Sequence, residues 1–219
     1  MLVFTASRLQ ERGLTGIMII LLSFHLLGLT PTRMSYILPN RASISCTPGL
    51  YARLNTLEVD GLAIVGTSNG HIYHFRVFIY NHAQGCSLSL DCNPSYDARD
   101  PDKACVTVAF KSYAWTTSQN APPGRIPPST GPFEVKLGTS TKVWKICSLL
   151  FDSLRRDHYH FHGGMGCRHW CATILGDLEA HGYVSPGASA QFETWERAKC
   201  RELGIGAFIL PRLQGVFYS

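Results

Sequence analysis

One short stretch of the chain concentrates the residue types that could do chemistry. It reads YHFHGGMGCRHWCATILGDLEAHGYV and runs from Tyr159 to Val184. Histidines and a glycine-rich turn come first, and Cys167 then opens a run with helical periodicity. Backbone N–H groups and the helix dipole stabilise a thiolate at the first turn of a helix. The pattern predicts Cys167 as a cysteine nucleophile, and a packing role for the thiol is the competing interpretation.

A cysteine nucleophile needs a base, and the best candidate is His74. It lies in the middle of residues 71–80, whose side chains alternate between two faces as in a β-strand. A turn at 81–85 follows, and residues 87–93 alternate in the same way. The two segments predict a β-hairpin that carries the histidine on its first strand.

The base in turn needs a partner that orients it. Asp91 or Ser89, both on the second strand of the hairpin, could do so. His71 is a fallback base, and His74 is preferred for its mid-strand position. A histidine on a strand and a cysteine on a helix make the papain-type arrangement. Here the histidine precedes the cysteine, which is the order found in circularly permuted papain-like proteins.

The elements around these residues predict an α+β fold. Hydrophobic residues make up 45% of the 219-residue chain and charged residues 16%, as in a globular domain. Strands and helices are partly segregated along the sequence, which favours α+β over a doubly wound sheet. Further strands are predicted at 62–68, 105–110 and 133–137. Helices are predicted after a cap at Thr139, Ser140 or Thr141, from near Cys167, and over about 190–203.

The N-terminal part of the chain predicts a separate segment. Residues 14–29 form an apolar run that fits a signal peptide or anchor. The alternatives are a helix packed on the domain and a start placed too early, with Met34 as the true start. We expect residues 1–33 to form this segment, 34–56 a lead-in linker and 57–219 a single domain. A signal would direct the protein to the secretory pathway or the membrane; without one it would be cytoplasmic.

Two motifs carry a resemblance to a known family. The pattern Y-x-F-x-x-G-x-G-C-R-x-W ends at Trp170, and D-L-E-x-x-G-Y follows from Asp177 to Tyr183. Together they resemble a fungal domain family of unknown function with a G-C-R-x-W motif. The helix before them, the strand of His74 and the closing elements fit the same pattern. The resemblance covers roughly residues 57–210.

More distantly, the layout is similar to the circularly permuted papain-like superfamily. That superfamily includes proteins of the lecithin–retinol acyltransferase type and the PPPDE deubiquitinating peptidases. In them a strand histidine is followed by N-C-x-H-[FW] at the start of a helix. Here Cys167, His169 and Trp170 match, while Gly166 replaces the asparagine. The resemblance implies a small antiparallel sheet packed with helices, with Cys167 as nucleophile, His74 as base and Asp91 as the orienting residue.

Histidines 158, 160 and 162 offer a different chemistry. On a strand the three imidazoles would share one face, and Cys167 or Cys171 could complete a zinc site. No C-x-x-C pair or carboxylate spacing supports such a site, so a polar, solvent-facing edge is the favoured interpretation. We therefore predict no metal and no cofactor. The net charge is +5, but the basic residues are scattered, so no nucleic-acid partner is predicted.

These observations predict a cysteine hydrolase or acyltransferase acting on an amide or ester. The substrate would be a small amide or ester, a peptide or a lipid. Membrane contact is expected only through residues 14–29, if they form an anchor. A catalytically inactive binding module on a papain-like fold is the alternative, and a zinc-stabilised structural domain is a further one.

Overall fold

The computed structural model describes residues 35–47, 49–68, 72–95, 97–112, 129–204 and 210–218. The possible signal segment 1–33, the alternative start at Met34 and the fallback base His71 lie outside the described residues. From Tyr36 onward the chain forms one compact unit. Within the described ranges, no helix has both the length and the apolar character needed to cross a bilayer.

The described residues fold as an α+β domain with a mixed sheet and a small two-stranded sheet. The strands are β1 Ile44–Cys46, β2 Glu58–Ser68, β3 Tyr73–Asn81, β4 Cys86–Pro94, β5 Ala104–Ser112, β6 Ser129–Lys142, β7 Tyr159–His160 and β8 Val216–Phe217. The helices are α1 Leu50–Leu54, α2 Val143–Cys147, α3 Cys167–Ala180 and α4 Ala188–Leu203. The predicted hairpin, the helix that opens at Cys167 and the third helix are all confirmed.

The main sheet has the order β1-β5-β4-β3-β2-β6. Its central strands are antiparallel neighbours, and β1 alone pairs in parallel, with β5. Strands β7 and β8 form the small sheet. Alternate residues of β3 and β4 face the core, where Val77, Ile79, Leu88 and Leu90 are fully buried.

Residues 35–56 differ from the expected lead-in linker. They contain β1, which extends the main sheet, and α1, whose Leu50 and Leu54 are fully buried. The fully buried carboxylate of Asp157 holds this segment in place: it accepts hydrogen bonds from Arg41 Nη1 at 2.9 Å and Ser43 Oγ at 2.7 Å. A three-residue strand that pairs with a partner sixty residues away leaves little local pattern in the sequence.

The predicted cap of the first long helix is wrong. Thr139, Ser140 and Thr141 belong to β6, and the helix α2 begins only at Val143. From Ser148 to Ser153 the helix continues with π geometry, in which the N–H of Leu154 bonds to the carbonyl of Leu149. Leu154, which the predicted helical stripe includes with Val143, is only half-buried.

Helix α3 brings Cys167 to the sheet. It packs on β3 and β4, and α4 packs on α3 and β6. The apolar face of α3 supplies Trp170, Ile174, Leu175 and Leu178, all fully buried. This burial fixes the helix against the strands, so that its first residue lies at the end of the hairpin that carries His74.

Candidate active site

The site lies where β3 and β4 separate. Their pairing extends from Asn81–Cys86 to Val77–Leu90. Beyond that pair, β3 reaches back to Tyr73 and β4 continues to Pro94. His74 and Asp91 belong to these diverging ends, and the start of α3 approaches them.

Cys167 is the first residue of α3, as its sequence pattern predicts. Gly166 precedes it with φ +143°, a conformation that L side chains rarely adopt. The Cys167 Sγ accepts a hydrogen bond from the backbone N–H of Phe75 at 3.4 Å. An N–H at the diverging end of β3 thus contacts the thiol instead of β4.

A hydrogen-bonded chain joins the three residues that the sequence singles out. On one side the His74 imidazole lies close enough to the Cys167 thiol for each group to shift the pKa of the other. On the other side, its Nε2 lies 2.6 Å from Asp91 Oδ1. Since Nε2 faces the carboxylate, Nδ1 is the ring nitrogen left for the sulfur. The thiol, the imidazole and the carboxylate therefore lie in the order in which a cysteine nucleophile, its base and an orienting group would have to lie.

The electrostatic interactions among Cys167, His74 and Asp91 favour an ion pair between the thiol and the imidazole. Burial opposes charge on the thiol, but the hydrogen bond and positive charge of His74 outweigh it, so the pKa of Cys167 is lowered. Burial also opposes charge on the imidazole, but the bonds to Asp91 and Cys167 raise the pKa of His74 from 6.5 to about 9. Both shifts favour the thiolate–imidazolium form of the pair over the neutral form.

The carboxylate of Asp91 has partners that sequence reasoning missed. Arg76 Nε donates to its Oδ2 at 2.6 Å, and Asn93 Nδ2 donates to its Oδ1 at 2.8 Å. Arg76 Nη1 also donates to Thr67 Oγ1 on β2 at 2.6 Å. Burial would raise the pKa of Asp91, but His74 and Arg76 lower it, so the group stays ionised. The alternation that places His74 and Arg76 two residues apart was the available signal.

The other candidate residues lie elsewhere. Ser89, the alternative orienting residue, is buried opposite Phe78 farther along the hairpin. His169 is on the first turn of α3, where its Nδ1 lies 3.2 Å from the hydroxyl of Tyr159. Of the two orienting residues considered, Asp91 is the one bonded to the base.

The three histidines of the H-x-H-x-H segment do not meet at one site. His158 stacks on Tyr218, with ring centroids 5.0 Å apart, and His160 Nε2 lies 2.7 Å from Asp100 Oδ1. His162 is exposed, while Tyr159 and Phe161 between them are buried. Across the described part of the chain, no three His, Cys, Asp or Glu side chains are grouped so that they could hold a metal ion.

We expect purified protein to contain only substoichiometric zinc. Structural zinc contributes on the order of 10 kcal/mol to the folding of small domains, so a true site would be evident in elemental analysis and in chelator-induced unfolding. One equivalent of zinc that is lost together with the fold on adding a chelator would reinstate the zinc-stabilised alternative. A His158→Ala, His160→Ala double variant would then locate the site.

Comparison with known proteins identifies one family. The model of a domain of unknown function, DUF7770, matches residues 62–218, which is most of the chain. The match includes β3, β4 and α3, and so includes the three residues of the hydrogen-bonded chain. No curated protein matches the sequence, and no solved structure matches it.

Proposed function

This chain belongs to the DUF7770 family, and we propose that it is a cysteine hydrolase or acyltransferase acting on an amide or ester. The observation that carries the proposal is the hydrogen-bonded chain Cys167–His74–Asp91 at the start of α3. A cysteine that merely packs needs neither an imidazole partner nor a carboxylate behind that partner.

The first half of the reaction forms a thioester. The Cys167 thiolate attacks the carbonyl carbon of the substrate, and the carbonyl π electrons move to oxygen to give a tetrahedral oxyanion. The oxyanion collapses, the bond to the leaving group breaks, and the His74 imidazolium gives its proton to the departing amine or alkoxide. Cys167 now carries the acyl group, and His74 is neutral.

The second half restores the enzyme. Neutral His74 takes a proton from water, or from an acceptor alcohol or amine, as that nucleophile attacks the thioester. Collapse of the second oxyanion releases the acid or the transferred product and leaves the thiolate–imidazolium pair. Asp91 stays ionised throughout and holds the imidazole in one orientation, while Arg76 and Asn93 fix the carboxylate itself.

A helix start suits the transition state of this reaction. The N–H groups in the first turn of a helix have no intrahelical acceptor. The N–H of Cys167 belongs to this set, so it can donate to an oxyanion that forms on the carbon bonded to its own sulfur. The helix dipole adds to the stabilisation of both thiolate and oxyanion.

The finer family relationship is part of the proposal. A cysteine that opens a helix, packed on an antiparallel hairpin whose earlier strand carries the base, supports a permuted papain-like arrangement. The G-C-R-x-W motif from Gly166 to Trp170 supports the closer likeness to a fungal family. The substrate in this proposal remains a small amide or ester, a peptide or a lipid.

Turnover of activated acyl compounds tests the proposal. We expect the protein to hydrolyse p-nitrophenyl esters or aryl amides of differing chain length, and Cys167→Ser to lower kcat/KM by at least about 100-fold, since removing a nucleophile leaves only binding and oxyanion effects. Cys105→Ser is the matched control, because Cys105 is a half-buried thiol whose pKa is raised by burial. It should keep full activity.

Two results would overturn the proposal. One is turnover that survives in Cys167→Ser. The other is saturable binding of the same compounds without turnover, which would support the inactive binding module instead.

A further inference from the structure

The hydroxyl of Tyr159 joins the turn before the nucleophile to the C-terminal segment. The side chain is fully buried, and its Oη donates to the carbonyl oxygen of Gly166 at 3.0 Å. The same oxygen accepts from the N–H of Gly215 at 2.9 Å and lies 3.2 Å from His169 Nδ1. The hydroxyl of this buried side chain thus has three polar partners, two at the start of α3 and one in the C-terminal segment.

The direction of the hydroxyl proton follows from these partners. The carbonyl of Gly166 can only accept, whereas the N–H of Gly215 can only donate. Burial and the charge of Arg212 lower the pKa of His169, which favours its neutral ring. Because the single hydroxyl hydrogen is directed at Gly166, the tautomer of His169 that bonds to the tyrosine oxygen is the one with hydrogen on Nδ1. The Tyr159 hydroxyl therefore donates one hydrogen bond, to the Gly166 carbonyl, and accepts two, from Gly215 and His169.

Fixing the Gly166 carbonyl also fixes the N–H of Cys167. The two groups belong to one planar trans peptide, in which C=O and N–H point in opposite directions. The Gly166 oxygen is held by the Tyr159 hydroxyl and by the N–H of Trp170, at 2.9 Å. Rotation of this peptide would break both bonds, so the direction of the Cys167 N–H is set by its neighbours and not by solvent.

The Tyr159 hydroxyl is packed tightly against two glycines. A Cβ at Gly166 would lie 2.5 Å from the Tyr159 hydroxyl oxygen, and a Cβ at Gly215 would lie 2.4 Å from the same atom. Both distances are shorter than real Cβ contacts. Glycine at 166, where the papain-like pattern has asparagine, therefore allows the tyrosine hydroxyl to reach the peptide before the nucleophile.

We infer that Tyr159 is a positioning residue that aims the backbone N–H of Cys167 at the oxyanion of the acyl-transfer reaction. The inference rests on the proposed function and deepens it. Tyr159 touches neither the thiol nor the substrate in this account; it acts through the Gly166–Cys167 peptide. Its loss should therefore affect steps that pass through an oxyanion and spare steps that do not.

Two reactions of the same thiol separate these effects. Acylation by p-nitrophenyl acetate passes through a tetrahedral oxyanion, whereas alkylation by iodoacetamide is a direct displacement at a saturated carbon. We expect Tyr159→Phe to slow acylation of Cys167 by about tenfold, below the roughly 100- to 1000-fold cost of deleting an oxyanion donor. The alkylation rate at pH 6 should stay at the wild-type value. Because alkylation is measured on the same sample, it corrects for any unfolded fraction.

Tyr51→Phe is the matched control, since Tyr51 is an exposed tyrosine on α1. It should leave both rates unchanged. An unchanged acylation rate in Tyr159→Phe would overturn the inference and leave the proposed function intact. An equal fall in both rates would also overturn it, because the tyrosine would then act on the thiolate or on the fold. Wild-type protein that is alkylated but never acylated would remove the proposed function, and this inference with it.

Discussion

Replacing His74 by alanine is expected to slow iodoacetamide alkylation of Cys167 at pH 6 by about a hundredfold, because a thiol with the free pKa of about 8.5 is only about 0.3% thiolate at that pH. In the intact protein His74 lowers the pKa of the thiol against the opposing effect of burial. Without the imidazole, burial still raises the pKa of the thiol. Alkylation rates followed by peptide mass spectrometry measure the change at each cysteine.

Alkylation rates in two further variants show whether Asp91 contributes to the effect of His74. His162→Ala is the control, because His162 is exposed and lies outside the hydrogen-bonded chain; it should not alter the rate. Asp91→Asn keeps a hydrogen-bond acceptor but removes the charge that helps to raise the pKa of His74, so we expect a smaller fall than for His74→Ala. Equal labelling of Cys167 in wild type and His74→Ala would mean that the imidazole does not activate the thiol.

The pH dependence of turnover follows from the two shifts. The thiolate is present above the lowered pKa of Cys167, and the imidazolium is lost as the pH rises through about 9, the pKa of His74. Acylation with a poor leaving group needs both charged forms. As the pH increases, the rate of acylation should therefore rise through the pKa of Cys167 and fall near pH 9. The rate of alkylation, which needs no proton donor, should not fall at alkaline pH.

Arg41→Ala is expected to lower the free energy of unfolding by about 3 kcal/mol, since removing one partner of a buried ion pair leaves a charge without compensation. Asp157 is fully buried, and Arg41 Nη1 contacts both of its carboxylate oxygens, at 2.9 and 3.1 Å. The same nitrogen donates to the carbonyl of Phe151 at 2.9 Å. The loss therefore leaves two buried acceptors short of a donor. Urea denaturation followed by tryptophan fluorescence measures it.

A mutant cycle isolates this pair from general damage. In an Asp157→Asn background, Arg41→Ala should cost less than in the wild-type protein, because no buried charge remains to be compensated. Arg53→Ala is the control: Arg53 is exposed and lies over the Phe110 ring, a contact worth about 0.5–1 kcal/mol. Equal losses for Arg41→Ala in the two backgrounds would contradict a specific contribution from the ion pair.

Local patterns predicted the elements that carry the site. Alternation along residues 71–80 and 87–93 indicated the hairpin, and periodicity after Cys167 indicated α3. In each case the apolar residues of the buried face recur at a fixed spacing in the sequence, and this spacing distinguishes a strand from a helix. The three residues that the structure brings together, Cys167, His74 and Asp91, could therefore be named, although no pattern fixes how far apart their side chains lie.

Contacts between distant segments could not be read in this way. β1 has three residues and is held by pairing with β5 and by the buried Asp157, neither of which is near it in sequence. The contribution of Tyr159 depends on Gly166 and on Gly215, which comes from the end of the chain. The cap predicted at residues 139–141 failed because β6 continues through them, so that sheet pairing overrode the capping tendency of these residues.

Capture of an acyl-enzyme would show whether the Cys167 sulfur attacks a carbonyl carbon. Wild-type protein is mixed with p-nitrophenyl acetate at neutral pH, quenched in acid within the first turnover and analysed by intact and peptide mass spectrometry. We expect one added acetyl group per chain, located on Cys167, absent from Cys167→Ser and strongly reduced in His74→Ala. Acetylation spread over several residues, or unchanged in Cys167→Ser, would contradict a catalytic role for the Cys167–His74–Asp91 chain.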